Sequence, residues 1–318
     1  MSSPGSLPPS SIEGITISGT SRWQKIVHDR WMYLFMLPGL VYFLLFVYFP
    51  MLGNIIAFKN YSPFVGIIDS PWAGLANFER LFTDPNFKQA LINTAQIETL
   101  QLIFAFPAPL LLALLLNSLI SERVKRSIQS IVYLPYFLSW VIVIALWQQV
   151  FGGAGVLNQA LRDGGYDTIN IMSNPDFFKP LVVLQSIWKE IGWGTIIFLA
   201  ALTKIDTQLY EASAIDGANG RQRLLHVTLP GIRGIIILLL ILRMGSMFST
   251  GFEQYFLQRN AVGPQAAEVI DTLVYTLGFQ SGQWSFAAAV GLVRGVVAAI
   301  LILFANWLAK RFGEEGLL

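Results

Sequence analysis

The stretch YEASAIDGANGRQRLLHVTLPG, residues 210–231, lies between two runs too apolar for water, WGTIIFLAAL at 193–202 and IIILLLILRMG at 235–245. A polar segment with small residues, an Asp-Gly pair and a Leu-Pro pair, set between such runs, reads as a built connection. Asp206 and Thr207 offer a helix N-cap just ahead of Gln208 and Leu209. The residues that follow, to Asp216, predict about three helical turns with Leu209, Ala212, Ser213 and Ile215 forming a small, partly apolar surface. Asp216-Gly217 then breaks the helix, because glycine adopts a positive φ at little cost. A second helix, NGRQRLLHVT, ends at Leu229-Pro230, where the next apolar run begins. Two short helices joined at a glycine make an elbow. Fixed to two spans by short connections, it can pass a rigid-body push into a bundle.

The rest of the composition agrees with a membrane setting. The chain has 318 residues, a mean hydropathy of +0.57 and only 13% charged residues, where a soluble domain carries roughly 25%. Its net charge of +2 gives no reason to expect nucleic acid. The absence of cysteine rules out disulfides, thiolate metal sites and a cysteine nucleophile. The opening stretch MSSPGSLPPSSIEGITISGTS lacks the apolar core of a signal peptide and reads as a mobile tail.

A span needs about 20 largely apolar residues. Trp31–Phe58, Leu91–Asn117, Ile128–Phe151, Pro180–Leu202, Ile232–Phe252 and Phe286–Leu308 qualify. Pro38, Pro50, Pro107, Pro109 and Pro135 fall inside them, so kinks are expected and breaks are not. With the N-terminus inside, cytoplasmic segments hold Arg22, Lys25, Arg30, Arg123, Lys125, Arg126, Lys204, Arg221, Arg223, Arg233, Lys310 and Arg311. The outer loops hold only Lys59, Arg80, Lys88, Arg162, Lys179 and Arg259. This excess predicts that both termini and the elbow are cytoplasmic. The resulting plan is a cytoplasmic tail at 1–28, a first span at 29–60 and an extracytoplasmic loop at 61–90. A five-helix core follows at 91–312, with the elbow at 204–230, and a second cytoplasmic tail at 313–318. Short helical pieces are expected in the outer loops, around Leu75–Phe87 and within the segment 152–178.

Glu211-Ala212-Ser213, Gly217 after three intervening residues, and Val227-Thr228-Leu229-Pro230 after nine more resemble the "EAA" loop of ABC importer permeases. Ser213 replaces the family's second Ala, Val227 its Ile, and Thr207 stands where many relatives have Pro. EASAIDGA is the version typical of carbohydrate importers. LRMGSMFSTGFEQYFL and WSFAAAVGLVRGVVAAILILFANWLAKRF look like the subset that imports oligosaccharides derived from polysaccharides. The resemblance implies an all-α integral membrane protein with six transmembrane helices in the type I (MetI-like) permease architecture, in a bacterial inner membrane. It also implies that Glu211, Ala212, Ser213, Asp216, Gly217, Leu229 and Pro230 couple the chain to a separate cytoplasmic ATPase. The implied partners are a second, different permease chain, an ATPase dimer, an extracytoplasmic substrate-binding protein, an oligosaccharide and the membrane lipids. ATP and magnesium belong to the partner ATPase, since no GxxxxGK[ST] loop occurs in this sequence. His226 reads as an ordinary helix-end histidine.

Lys189, Glu190, Arg243 and Arg294 fall some 8 to 11 residues into their spans, about 12 to 17 Å deep. Charges at that depth are costly and mark a pathway or a pairing. They predict a polar lumen, with Trp188, Trp193, Glu253, Gln254 and Trp284 as further saccharide contacts. Ion pairing of Glu190 with Arg243 or Arg294 is the competing reading, and Glu98 is assigned to packing or to the outer vestibule. Lys189 and Glu190 are adjacent on one helix, so only one of them can face the lumen squarely. Arg243 and Arg294 would suit an acidic saccharide. Two other classes fit the sequence less well. An intramembrane enzyme lacks His-carboxylate pairs within a span, since His28 and His226 are the only histidines. An ion-gradient-driven transporter accommodates the buried charges but gives the elbow no purpose.

Overall fold

Proline sets the geometry of several helices in this chain. The computed structural model describes residues 29–248, 251–311 and 313; the tail assigned to 1–28 and nearly all of that assigned to 313–318 lie outside them. Among the described residues the structure is helical, apart from a single antiparallel bridge between Lys59 and Trp72. Among the described residues, five helices are long and apolar enough to cross a membrane, or six when one bent pair counts as a span.

The chain divides into two compact units, one ending at Gly53 and the other starting at Asn54. The described part of the first unit is most of α1 (Arg30–Phe58), which is apolar around its whole circumference. The second unit begins with a loop closed by Lys59, whose Nζ donates to the carbonyls of Ile67 and Ile68 at 2.7 and 2.9 Å. Helices α2 (Ala76–Thr83) and α3 (Pro85–Asn117) follow. The Asp84 side chain caps α3 and Pro85 stands at its first position, so α3 starts six residues earlier than the span read from sequence.

Pro50, Pro107 and Pro230 each stand two residues after a widened, π-type turn, at Leu44–Tyr48, Gln101–Ala105 and Leu224–Thr228. In each case the residue just before the proline donates to the carbonyl five positions back: Phe49 to Leu44, Phe106 to Gln101, Leu229 to Leu224. Proline has no N–H, and its ring clashes with the carbonyl four residues earlier. The wider turn relieves both problems without ending the helix.

Pro135 behaves differently and corrects the third span. Helix α4 (Glu122–Tyr133) stops, a tight turn covers Leu134–Phe137, and Leu138 is extended with ψ 140°. Ser139 then caps α5 (Trp140–Phe151), so the segment read as one kinked span, Ile128–Phe151, is two helices separated by a break. After Gly152–Gly155 comes α6 (Val156–Asp163), the short helical piece expected in this region.

Helix α7 (Phe178–Leu202) is the most buried of the spans and packs against α3. Two of its glycines permit close approach: a Cβ at Gly192 would meet the Val132 carbonyl oxygen at 2.4 Å, and one at Gly194 would meet Pro109 at 2.8 Å. The elbow follows as α8 (Thr207–Ile215) and α9 (Gly220–Gly231). The second elbow helix does not stop at Leu229-Pro230. It runs to Gly231 and bends by 61° into α10 (Arg233–Ser246).

Span five is shorter than the expected Ile232–Phe252. Helix α10 ends at Ser246, and Phe252 opens a separate helix, α11 (Phe252–Val262), between Gly251 and Gly263, both with strongly positive φ. The turns α12 (Pro264–Ala267) and α13 (Ile270–Tyr275) precede α14 (Trp284–Arg311). Tyr255 of α11 packs with Phe178, Val182 and Ile97, while Ile270 and Leu273 pack with Phe286 and Val290 of α14.

Candidate functional sites: a charged cavity and an elbow

Between α3, α7 and α10 lies an open cavity of about 330 Å³. The π-type turn at Gln101–Ala105 forms one wall, α7 contributes Ser186, Glu190 and Trp193, and α10 contributes Arg243 and Ser246. Tyr136, from the break after Pro135, completes it and stacks on Trp193 with centroids 4.7 Å apart and planes 6° from parallel.

Arg243 is anchored there by α3. Its guanidinium donates to Glu98 Oε2 at 2.9 Å and, in a short contact, to Gln101 Oε1. Glu98 is fully buried, so its charge depends on this pairing. Of the two places expected for Glu98, packing and the outer vestibule, the structure has the first; one expectation is corrected, since the carboxylate paired with Arg243 is Glu98 and not Glu190. The pairing was within reach of sequence reasoning, since Glu98 is the only charged residue in Leu91–Asn117. Gln101 extends the network by donating to the Tyr255 hydroxyl at 3.1 Å, which ties the cavity wall to α11.

Lys189 and Glu190 point different ways, as their adjacency required. Glu190 lies on the cavity wall and is exposed there. Lys189 is buried, donates to the Tyr136 carbonyl at 2.9 Å, and holds its ammonium 5.4 and 5.5 Å from the Tyr136 and Trp140 ring centroids. It satisfies a carbonyl freed by the break that Pro135 makes, as non-helical backbone within a membrane requires. Lys189 therefore lines no lumen here.

Five more residues expected at the lumen are elsewhere. Arg294 pairs with Asp271 of α13. Trp188 packs edge-on against Trp147, and Trp284 edge-on against Phe279. Glu253 is exposed on α11. Gln254 is buried in an amide cluster: its Nε2 donates to the Val182 carbonyl at 2.9 Å and to Gln185 Oε1 at 3.1 Å, and its Oε1 accepts from Ser186. Gln258 joins the cluster through Gln185. Sequence reading missed Gln185 and Gln258, because isolated glutamines carry no spacing signal. Of the predicted set, Glu190, Trp193 and Arg243 meet at one cavity.

The elbow keeps the form its residues predicted. Asp206 caps α8 by accepting from the Gln208 N–H at 2.9 Å. Gly217 has φ +76°, with no atom within 4 Å of the Cβ position. Asn219 and Gln222 close a reciprocal capping box at 2.8 and 3.0 Å, which starts α9. The hydroxyls of Tyr210 and Thr228 meet at 3.0 Å and clamp the two arms together. Ser213 donates to the Tyr210 carbonyl at 2.8 Å, and His226 bonds the Gln222 carbonyl through Nδ1 at 3.0 Å. Ala212, Asp216 and Pro230 are exposed and Leu229 is half-buried. Glu211, Leu209 and Ile215 are exposed, the last at 87%. A rigid clamp thus presents acidic and apolar side chains outward.

A multi-pass helical membrane protein with a largely apolar cavity that holds Glu190 and Arg243 among its spans, and a braced elbow at one end, is a transport component. Residues 105–314 match the family described as "Binding-protein-dependent transport system inner membrane component", and the chain belongs to that family. It is 47% identical over 94% of its length to Protein LplB of Bacillus subtilis (strain 168), covering 94% of that protein. It is 46% identical to the polygalacturonan/rhamnogalacturonan transport system permease protein YteP of the same organism, over 92% of each chain. A chain in the crystal structure of a bacterial alginate ABC transporter, in complex with alginate pentasaccharide-bound periplasmic protein, superposes with a TM-score of 0.86 at 36% identity. That match covers 93% of this chain and 99% of the other.

Proposed function

We propose that the chain is one of two permease subunits of an ATP-driven importer of oligosaccharides. It forms half of the translocation pathway in a bacterial inner membrane, with both termini and the elbow on the cytoplasmic side. Hydrolysis of ATP with magnesium takes place on a separate ATPase dimer, and a substrate-binding protein delivers the saccharide from outside. The permease subunit itself carries out no chemistry.

The observation that carries this reading is the braced elbow. Asp206, Gly217, the Asn219–Gln222 box and the Tyr210–Thr228 clamp fix the angle between two short helices that continue into α7 and α10. Movement of an ATPase bound to Glu211, Ala212, Ser213 and Asp216 then reaches two of the three helices that wall the cavity, α7 and α10. An ion-driven transporter has no use for such a lever. The saccharide reading draws on the printed roles of the relatives and on the cavity itself. The Glu190 carboxylate suits hydroxyl groups, and the Tyr136–Trp193 pair suits the flat C–H face of a sugar ring.

The test is uptake of oligosaccharide by the full complex in proteoliposomes. Uptake is expected to require internal ATP and to persist when ion gradients are clamped at zero. Uptake driven by an ion gradient without ATP would overturn the reading. An impermeant thiol reagent tests the orientation: Ser121→Cys is expected to be silent from outside in intact cells, and labelling there reverses the topology.

A further inference from the structure

Two opposite charges line one hollow at the tip of the elbow and do not pair. The hollow, of about 260 Å³, lies between the two arms. Ser213, Asp216 and Gly217 line it from the side of α8, and Gln222, Arg223 and His226 from α9. Gln222 and His226 are already engaged: Gln222 closes the capping box with Asn219, and His226 Nδ1 bonds the Gln222 carbonyl. Asp216 and Arg223 are not. Among the described residues neither side chain has a hydrogen bond or an ion pair, and the Arg223 Nε is buried with no acceptor. A second hollow borders Arg223 on the side of α3, with Leu114, Leu115 and Ser118, and it holds no acidic side chain. A buried N–H without an acceptor is costly, and it points to an acceptor from outside the chain.

We propose that Arg223 is the socket for a carboxylate of the ATPase, and that Asp216 across the hollow takes a basic side chain of the same partner. This rests on the coupling role of the elbow, and three features favour the ATPase over lipid. Ser213 and Asp216 belong to the patch assigned to the ATPase, so the hollow continues the same surface. Its lining is polar apart from Gly217, Ala218 and Val227, which gives an acyl chain no seat. The Tyr210–Thr228 clamp holds the two charges on opposite arms, and a folded surface can match two fixed charges in position.

A guanidinium takes a carboxylate through paired N–H donors, so the contact fixes direction as well as distance. Glu211, Ala212 and Ser213 attach only the first arm. Arg223 attaches the second. With both arms held, a movement of the ATPase turns the elbow as one body and does not peel α8 from α9.

The test is the affinity of the partner ATPase for the assembled permease pair, in nanodiscs of phosphatidylcholine and of phosphatidylglycerol. Arg223→Gln is expected to weaken binding about tenfold or more in both lipids, the effect of losing a hydrogen bond to a charged group. Arg223→Lys, which keeps the charge but not the fork, is expected to fall between. The melting temperature of the permease pair without ATPase is expected not to fall, since the Arg223 side chain has no partner within the chain. Asp216→Asn, at an exposed position, repeats the measurement if Arg223→Gln assembles poorly, and it too is expected to weaken binding. Equal affinity of wild type and variant for the ATPase overturns the socket. A loss confined to phosphatidylglycerol discs assigns the site to lipid and overturns it as well. A wild-type pair that binds no ATPase overturns the coupling reading itself.

Discussion

The elbow and the cavity wall are both polar structures in an apolar chain, but they are held in opposite ways. In the elbow the bonds are local. Asp206 reaches Gln208, Asn219 and Gln222 reach each other, and the longest tie, Tyr210 to Thr228, spans 18 positions. In the cavity wall Arg243 meets Glu98 across 145 positions and Lys189 meets Tyr136 across 53. The elbow is therefore a self-sufficient clamp that can be moved as a unit. The wall exists only when three helices are already assembled, and its charges are part of what assembles them.

The largest effect should come from breaking the longest tie. In Arg243→Leu the fully buried Glu98 loses its counter-charge, and such losses cost about 3–5 kcal/mol. A marked drop in the melting temperature and yield of the assembled complex is the expected outcome. Adding Glu98→Gln should restore much of it, whereas adding Glu190→Gln should not. Rescue by Glu190→Gln alone would mean that the wall is wired the other way.

The second wall contact is worth less. Lys189→Met keeps the length of the side chain but leaves the Tyr136 carbonyl without its donor. An unsatisfied buried acceptor costs about 1–3 kcal/mol. The melting temperature should fall by less than for Arg243→Leu, and Tyr136 amide-region exchange should rise around the Pro135 break. Full stability in Lys189→Met would show that the break is satisfied by something else.

These two cases also explain what could be read from the sequence. The elbow's two helices were legible because the Asp206 cap and the Gly217 turn act within a few residues, whereas the Asn219–Gln222 box went unread and the Tyr210–Thr228 clamp spans 18 positions. The spans were legible from length and apolarity. Pairing was not. Glu98, Arg243 and Glu190 were all visible as membrane charges, but which two meet depends on helix rotation and on the π-type turn ahead of Pro107, which no spacing rule encodes. Asp271 was missed as the partner of Arg294 because α11, α12 and α13 fold back from a segment read as an ordinary outer loop. The break at Pro135 was read as a kink, since Lys189, the residue that makes a break tolerable, is far away in the chain.

A third test moves to the elbow. Gly217→Val adds a β-branched side chain into open space, so no atom clashes, but φ +76° is retained only at a cost. That strain is about 1–2 kcal/mol, and it acts on the angle of the clamp and not on the bundle. The expected result is a complex of nearly unchanged melting temperature with ATP hydrolysis uncoupled from uptake. Coupled transport at the normal rate in Gly217→Val would remove the elbow from the coupling role.

The smallest effect tests whether the clamp is as local as its bonds suggest. In Asp206→Ala the first turn of α8 loses the acceptor for the Gln208 N–H, and a lost N-cap costs about 1 kcal/mol. That loss should stay where it is made. The two arms remain tied by Tyr210 and Thr228, and α9 keeps its own box at Asn219 and Gln222. Hydrogen exchange should therefore quicken at the amides of Gln208 and Leu209 and remain unchanged at Leu224 and Leu225. Asp206→Asn, which keeps an oxygen in place, should restore most of the protection. If exchange instead quickens through α9 and into α10, the two arms are one cooperative unit. The elbow would then be held, like the cavity wall, by the assembly around it.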